Sequence, residues 1–165
     1  MTMNPKTALT WQSIRVGDEL PVFDLPVTAS VIVAGALASR DFMPVHHDRA
    51  FAIAQGAPDI FMNILTTNGY VSRYITDWAG PEAMLQKISI RLGVPALPDT
   101  TMRFTGNVLR TERAGNDDPK GNHKDDYKGS DELGVVEIEL RGTTDIGDHV
   151  TGTVVLTLPL VGDEG

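Results

Sequence analysis

Residues 60–81, IFMNILTTNGYVSRYITDWAGP, decide the fold. Ile60, Ile64, Val71, Ile75 and Trp78 recur at helical spacing on one face. Gly80-Pro81 then supplies a stop signal. The spacing predicts one long, largely apolar helix from Ile60 to Trp78. Gly69 and Ser72 are small enough for a sheet to wrap closely around it.

Everything downstream reads as strand. Lys87 to Val94 is one strand. In Thr101 to Arg110, Met102, Phe104, Gly106 and Val108 alternate with Thr101, Arg103, Thr105 and Asn107. In Val135 to Gly142, Val136, Ile138 and Leu140 alternate with Glu137, Glu139 and Arg141. Ile146 to His149 reads as a tight turn, and Val150 to Leu160 closes a meander, with Val154, Leu156 and Leu158 set against Thr153, Val155 and Thr157. Ala114 to Gly134 is almost devoid of apolar side chains and reads as a long hairpin loop, in which His123 has no assigned role. Upstream, residues 1–26 read as a lead-in before the domain at 27–161. Val27 to Ser39, rich in Val, Ile and Ala, reads as a buried strand, although periodicity does not exclude a helix. A central helix amid antiparallel strands is an α+β pattern. An open sheet edge in such a fold pairs with a second subunit.

The chain has 165 residues, one domain's worth, and is 41% hydrophobic, enough for one core. Its low aromatic content predicts an aliphatic core. A net charge of -8 without a basic stripe argues against nucleic acid as a partner. The absence of cysteine removes disulfides and thiolate chemistry. The N-terminus has no signal-peptide pattern, and the longest apolar run, Val31 to Ala38, is far too short for a membrane span. The expected location is cytoplasmic, with no membrane association.

Chemistry concentrates in residues 40–52, RDFMPVHHDRAFA. Asp41 lies five positions before His46, which on a straight helix would place them about 140° apart and on a strand on opposite faces. Pro44 forbids both regular forms and biases Met43 towards extended backbone. The resulting bend can aim both side chains at one volume. A carboxyl and an imidazole, with ordinary pKa values of about 3.9 and about 6.5, suit the addition or removal of water. Asp48 reads as the N-cap of a short helix from Arg49 to Gln55, closed by Gly56. His47 reads as a structural residue that steadies the loop by a hydrogen bond, and His149 as structural or interfacial.

Ser39, Asp41, Pro44, Val45, His46 and Ala52 match the motif of the MaoC-like hydratases of the hot-dog fold, the (R)-specific enoyl-CoA hydratase group, which the chain resembles over roughly residues 27–160. More narrowly, residues 40–42, 45–49, 59–61, 74–81, 91–95 and 147–151 resemble the small MaoC-like subunits of actinobacterial steroid side-chain enoyl-CoA hydratases. The departures are Arg40 where the family has Gly, Met43 where it has Asn, Asp59-Ile60 where it has Gly before the central helix, and the 114–134 segment.

The resemblance implies a hot-dog fold, an antiparallel sheet around a long helix. It also implies an enoyl-CoA hydratase, or the reverse 3-hydroxyacyl-CoA dehydratase, acting on a bulky acyl-CoA thioester such as a steroid side-chain intermediate. Asp41 and His46 would be the catalytic pair, sharing one water. The Ile60 amide, at the expected helix start, would stabilise the developing oxyanion. No cofactor or metal is implied, since CoA is part of the substrate. Arg40, Arg73 and Arg91 are candidates for its phosphates, with exposed solvated arginine the default for each. The implied assembly is a homodimer or a heterotetramer with a larger MaoC-like subunit. Two other functions compete: a hot-dog acyl-CoA thioesterase, which would place a carboxylate in the middle of the central helix, and a non-catalytic structural subunit of a heteromeric hydratase.

Overall fold

The structure, a computed structural model, describes residues 9–113 and 133–160. Strand β1 (Phe23–Val27) is followed by helices α1 (Ala29–Ala38), α2 (Arg49–Ala54) and α3 (Ile64–Ala79), then by strands β2 (Met84–Leu92), β3 (Thr100–Arg113), β4 (Leu133–Thr144) and β5 (Gly147–Pro159). The strands form one antiparallel sheet in the order β1-β3-β4-β5-β2. The predicted meander is therefore present as β3-β4-β5, with β1 and β2 at the edges.

Register explains the core. Val108 pairs with Ile138, Ile138 with Val154, and Val154 with Ile88, so one apolar row crosses four strands. Against this surface α3 buries Thr67, Val71, Tyr74, Ile75 and Ala79, an i, i+4, i+7, i+8, i+12 stripe. The core is not purely aliphatic, since it buries Tyr74 and Phe104, on which the half-buried Phe23 of β1 stacks. This is the hot-dog arrangement, an antiparallel sheet wrapped on a long central helix.

Several elements differ from expectation. Helix α3 starts at Ile64, because Asn63 takes the N-cap and its side chain accepts from the Thr66 amide at 3.0 Å. Ile60 lies outside the helix, and Ile64 is exposed. Gly69 faces open space rather than the sheet. The segment read as a buried strand at Val27–Ser39 is helix α1, capped by Thr28, whose side chain accepts from the Val31 amide at 3.1 Å. Its Gly35 lies against Thr66 of α3, where a Cβ would collide with the threonine side chain. Close helix approach, not β-propensity, sets this segment's conformation.

Most of strand β1 and the buried Ile14 and Leu20 lie before residue 27, so the described part of the predicted lead-in, residues 9–26, contributes to sheet and core. Val155 and Thr157, expected to face outward, are buried. Val155 packs with Val135 and Leu133, and nearby the Trp11 indole donates to the Val135 carbonyl at 3.3 Å. The predicted turn sits slightly earlier than read, so that β5 starts at Gly147 and includes His149. Leu133 and Gly134 belong to β4, while the remainder of the predicted 114–134 loop, with His123, lies outside the described residues. Among the described residues no helix is long and apolar enough to cross a membrane.

Candidate active site

The end of α1 positions Asp41. The Arg40 amide bonds the Leu37 carbonyl at 3.0 Å and the Asp41 amide bonds the Ala36 carbonyl at 2.9 Å. This is the Schellman closure of a helix, and it requires left-handed backbone at the residue between. That residue is Arg40, with φ +58°. The family's glycine at this position is the ordinary occupant of such a site. Arginine adopts the same geometry at a steric cost of about 1–2 kcal/mol.

The chain then runs extended through Met43 and enters a single 3-10 turn at Pro44–His46. Pro44 occupies the first turn position, where a missing N–H does no harm. The turn delivers His46, which is buried, back towards Asp41. Asp48 caps α2 as expected, its carboxylate accepting from the Phe51 amide at 3.0 Å, and Gly56 follows the helix with φ +89°. His47 is exposed and contributes its backbone amide, not its ring, to the Pro44 carbonyl at 3.0 Å.

His46 Nδ1 lies 2.7 Å from the Phe61 carbonyl oxygen. A carbonyl only accepts, so Nδ1 carries the proton. The ring is further held edge-on by the Phe61 ring, centroids 5.1 Å apart. Nε2 is thereby turned towards Asp41 Oδ2 at 3.3 Å. At 3.3 Å the two atoms are in direct contact, so a water serving both sits on the cleft side of the pair and bridges them.

Asp41 is held as an anion. Its pKa lies below the ordinary carboxylate value, chiefly because the Asn63 side-chain amide donates to Oδ2 at 3.0 Å. Partial burial opposes this, while the Met43 amide, at 3.3 Å from Oδ1, and His46 add to it. Asn63 also donates to Ser39 Oγ at 2.9 Å. Thus the side chain that caps α3 also fixes the carboxylate. Asn63 was not among the sequence candidates. Its signal was a good capping residue three positions before Thr66, hidden by placing the helix start at Ile60.

The expected role of Ile60 is not supported. Its amide donates to Asp59 Oδ1 at 2.8 Å, and α3 begins four residues later. The first-turn amides of Ile64 and Leu65 have no intrahelical acceptor, and Ile64 lines the same cleft as Asp41 and His46. This cleft, about 350 Å³, is completed by Phe61, Leu92, Gly93, Val94, Pro95 and His149.

Of the three arginines, Arg73 is engaged by Asp77 at 3.2 Å and lies over the Phe23 ring at 5.3 Å. Arg40 and Arg91 are exposed and have no carboxylate partner among the described residues.

No protein-family model matches the chain. It is 44% identical over 143 residues to the 3-oxo-4,17-pregnadiene-20-carboxyl-CoA hydratase beta subunit of Mycobacterium tuberculosis, covering 87% of this chain and 95% of that protein. Its structure is similar to a chain of the ChsH1-ChsH2 complex from Mycobacterium tuberculosis, with TM-score 0.72 and 42% identity over 87% of this chain and 98% of the other. The R-hydratase PhaJ1 from Pseudomonas aeruginosa shares the fold, with TM-score 0.73 at 17% identity, covering 93% of this chain and 88% of that one. With that identity sustained along the whole domain and the hot-dog frame around it, the chain belongs to the MaoC-like hydratases, a family of hydro-lyases.

Proposed function

We propose that this chain is the small subunit of an enoyl-CoA hydratase and carries the residues that add water across the α,β double bond of a bulky acyl-CoA thioester. The observation that carries this reading is the approach of His46 Nε2 to Asp41 Oδ2, 3.3 Å apart, in a cleft beside the start of α3. A water on the cleft side of the pair, bridging both, donates one hydrogen to each, leaving its lone pair free to attack Cβ. Imidazole is ordinarily more basic than carboxylate, and Asp41 is held more acidic still, so the water's proton passes to Nε2. Asp41 orients the water and stabilises the imidazolium. The same proton is then delivered to Cα, so that OH ends on Cβ and H on Cα. The thioester oxygen, negative in between, lies against the first-turn amide of Ile64, at the positive end of α3. The sequence uses only proton transfers, and CoA enters as part of the substrate.

The similar beta subunit is named for a steroid-derived acyl-CoA, which supports a polycyclic acyl group here. That protein is one subunit of several, and the similar crystal structure is of a complex, which supports a heteromer with a larger MaoC-like subunit. Exposed Phe42, Met43, Ile64 and Leu65 offer apolar surface for such a partner near the cleft. A thioesterase is disfavoured, since α3 has no carboxylate in its middle. Asp77, near its end, pairs with Arg73, and Asp59, before it, pairs with Arg49 at 3.0 Å. A purely structural subunit would have no use for an intact acid–base pair.

The test is to co-purify the chain with the products of neighbouring genes and follow loss of enoyl-thioester absorbance across CoA esters from short-chain to sterol-derived. Hydration confined to bulky esters, and abolished by His46→Ala, is expected. Absence of hydration with every ester, or near-normal turnover in the variant, overturns the proposal.

A further inference from the structure

One buried titratable group in the cleft is unused by this chemistry. His149 on β5 is 2% exposed and lines the same cleft as Asp41 and His46. Its Nδ1 is 2.7 Å from the Val94 carbonyl oxygen, so Nδ1 carries a proton. Its Nε2 is 2.9 Å from Thr67 Oγ1. That hydroxyl has one hydrogen and two acceptors in reach, Nε2 and the Asn63 carbonyl at 3.2 Å. Burial keeps the imidazole neutral, its pKa below the ordinary value. Nε2 is then an acceptor, and the threonine hydrogen points to it.

The bond joins two walls. Thr67 lies one turn beyond Asn63, and its amide donates to the Asn63 carbonyl at 3.1 Å. Asn63 in turn holds Asp41. On the other side, Gly93 and Val94 are gripped by the backbone of the same stretch of β5, Gly93 N to His149 O at 2.8 Å and Val94 N to Asp148 O at 3.0 Å. An apolar residue at 149 could fill the space but could not tie Val94 to Thr67.

We propose that His149, through Thr67, is a positioning residue: it holds the first turn of α3 against the Gly93–Pro95 segment and so sets where Asn63 presents Asp41. The inference rests on the hydratase reading for its kinetic consequence but not for its geometry. Displacing a reacting group by a fraction of an ångström to an ångström lowers turnover by up to about 10²-fold. A purely structural histidine would cost stability and leave turnover per folded site unchanged.

The experiment uses the assembled enzyme with Thr67→Val, which keeps shape and removes the donor, and Thr67→Ser, which restores it. The expected result is kcat down about 10-fold with KM unchanged in Thr67→Val, the order that mispositioning costs, and recovery in Thr67→Ser. Imidazole nitrogen NMR without substrate is the second readout. His149 should be the Nδ1–H tautomer, and Thr67→Val, which does not touch His46, should move the His46 ring signals while Thr67→Ser leaves them in place. Wild-type kcat in Thr67→Val, or unmoved His46 signals, overturns the proposal. Moved signals in an enzyme that hydrates no ester would support the coupling and reject the hydratase reading instead. Should Thr67→Val not fold, His149→Asn, which keeps a donor for Val94 but falls short of Thr67, is read by the same criteria.

Discussion

His46 and His149 begin from the same device and end in different work. Each has Nδ1–H pinned at 2.7 Å to a backbone carbonyl, Phe61 for one and Val94 for the other. The difference lies at Nε2. In His46 it lies within contact distance of the Asp41 carboxylate, 3.3 Å away in the wall of the cleft. In His149 it meets a buried hydroxyl that satisfies it. An imidazole becomes a candidate base when its free nitrogen is left facing a second acceptor, and a structural brace when that nitrogen is satisfied. Fixing the tautomer is common to both and therefore diagnostic of neither.

The largest expected effect breaks this comparison on the His46 side. Asp41→Asn or His46→Ala should lower hydration by roughly 10²–10⁴-fold, the usual worth of a positioned acid–base group. Thermal melting should remain cooperative. Equal losses for His149→Asn and His46→Ala would erase the distinction drawn between the two histidines.

Asn63→Ala comes next, since it strikes both the cap and the carboxylate. Loss of an N-cap costs about 0.5–2 kcal/mol, measurable by urea unfolding. Asn63 is also the main cause of Asp41's lowered pKa. Without it that pKa rises, so the Asp41 carboxyl signal should titrate at higher pH by NMR. A titration that stays in place would show that Asn63 does not hold the carboxylate.

Stability against pH sharpens the His149 side. Its folded pKa is below its unfolded value near 6.5. Between the two the unfolded chain binds more protons, so acidification favours unfolding. This contribution is complete above about pH 6.5 and is lost as pH falls through the lowered folded value. Melting temperature should therefore decline below about pH 6.5, and less steeply in His149→Asn. Parallel curves for the two proteins would contradict the buried, neutral assignment.

The smallest effect concerns Arg40. Arg40→Gly relieves left-handed strain at the helix closure and should stabilise the fold by about 1 kcal/mol, less the extra entropy of glycine in the unfolded chain. Unchanged or lower stability would mean that the arginine side chain makes compensating contacts. A rise in KM for CoA esters in the same variant would assign its charge to the substrate.

Local chemistry in the sequence was enough for much of this. The alternation in β3 and β4, the Asp48 cap, the Gly80-Pro81 stop and the break at Pro44 are determined by neighbours within a few residues, where sterics and hydrogen-bonding preferences act directly. Helix α1 was misread because a run of Val, Ile and Ala is compatible with either period, and its outcome depends on Gly35 meeting Thr66 in another helix. The start of α3 was misread because Ile60 is apolar and buried, yet its burial comes from the loop and not from a helix face.

What the sequence by itself determined is the spacing of Asp41 and His46 across a forced bend, the apolar periods that make a sheet close on a helix, and membership of a hydratase family. What only the tertiary structure decided is which groups complete the site. Asn63 reaches Asp41 across 22 residues, and His149 reaches Thr67 across 82. Such hydrogen bonds are directional and short-ranged, so they exist only once packing has brought distant segments to within about 3 Å, and no local pattern encodes them.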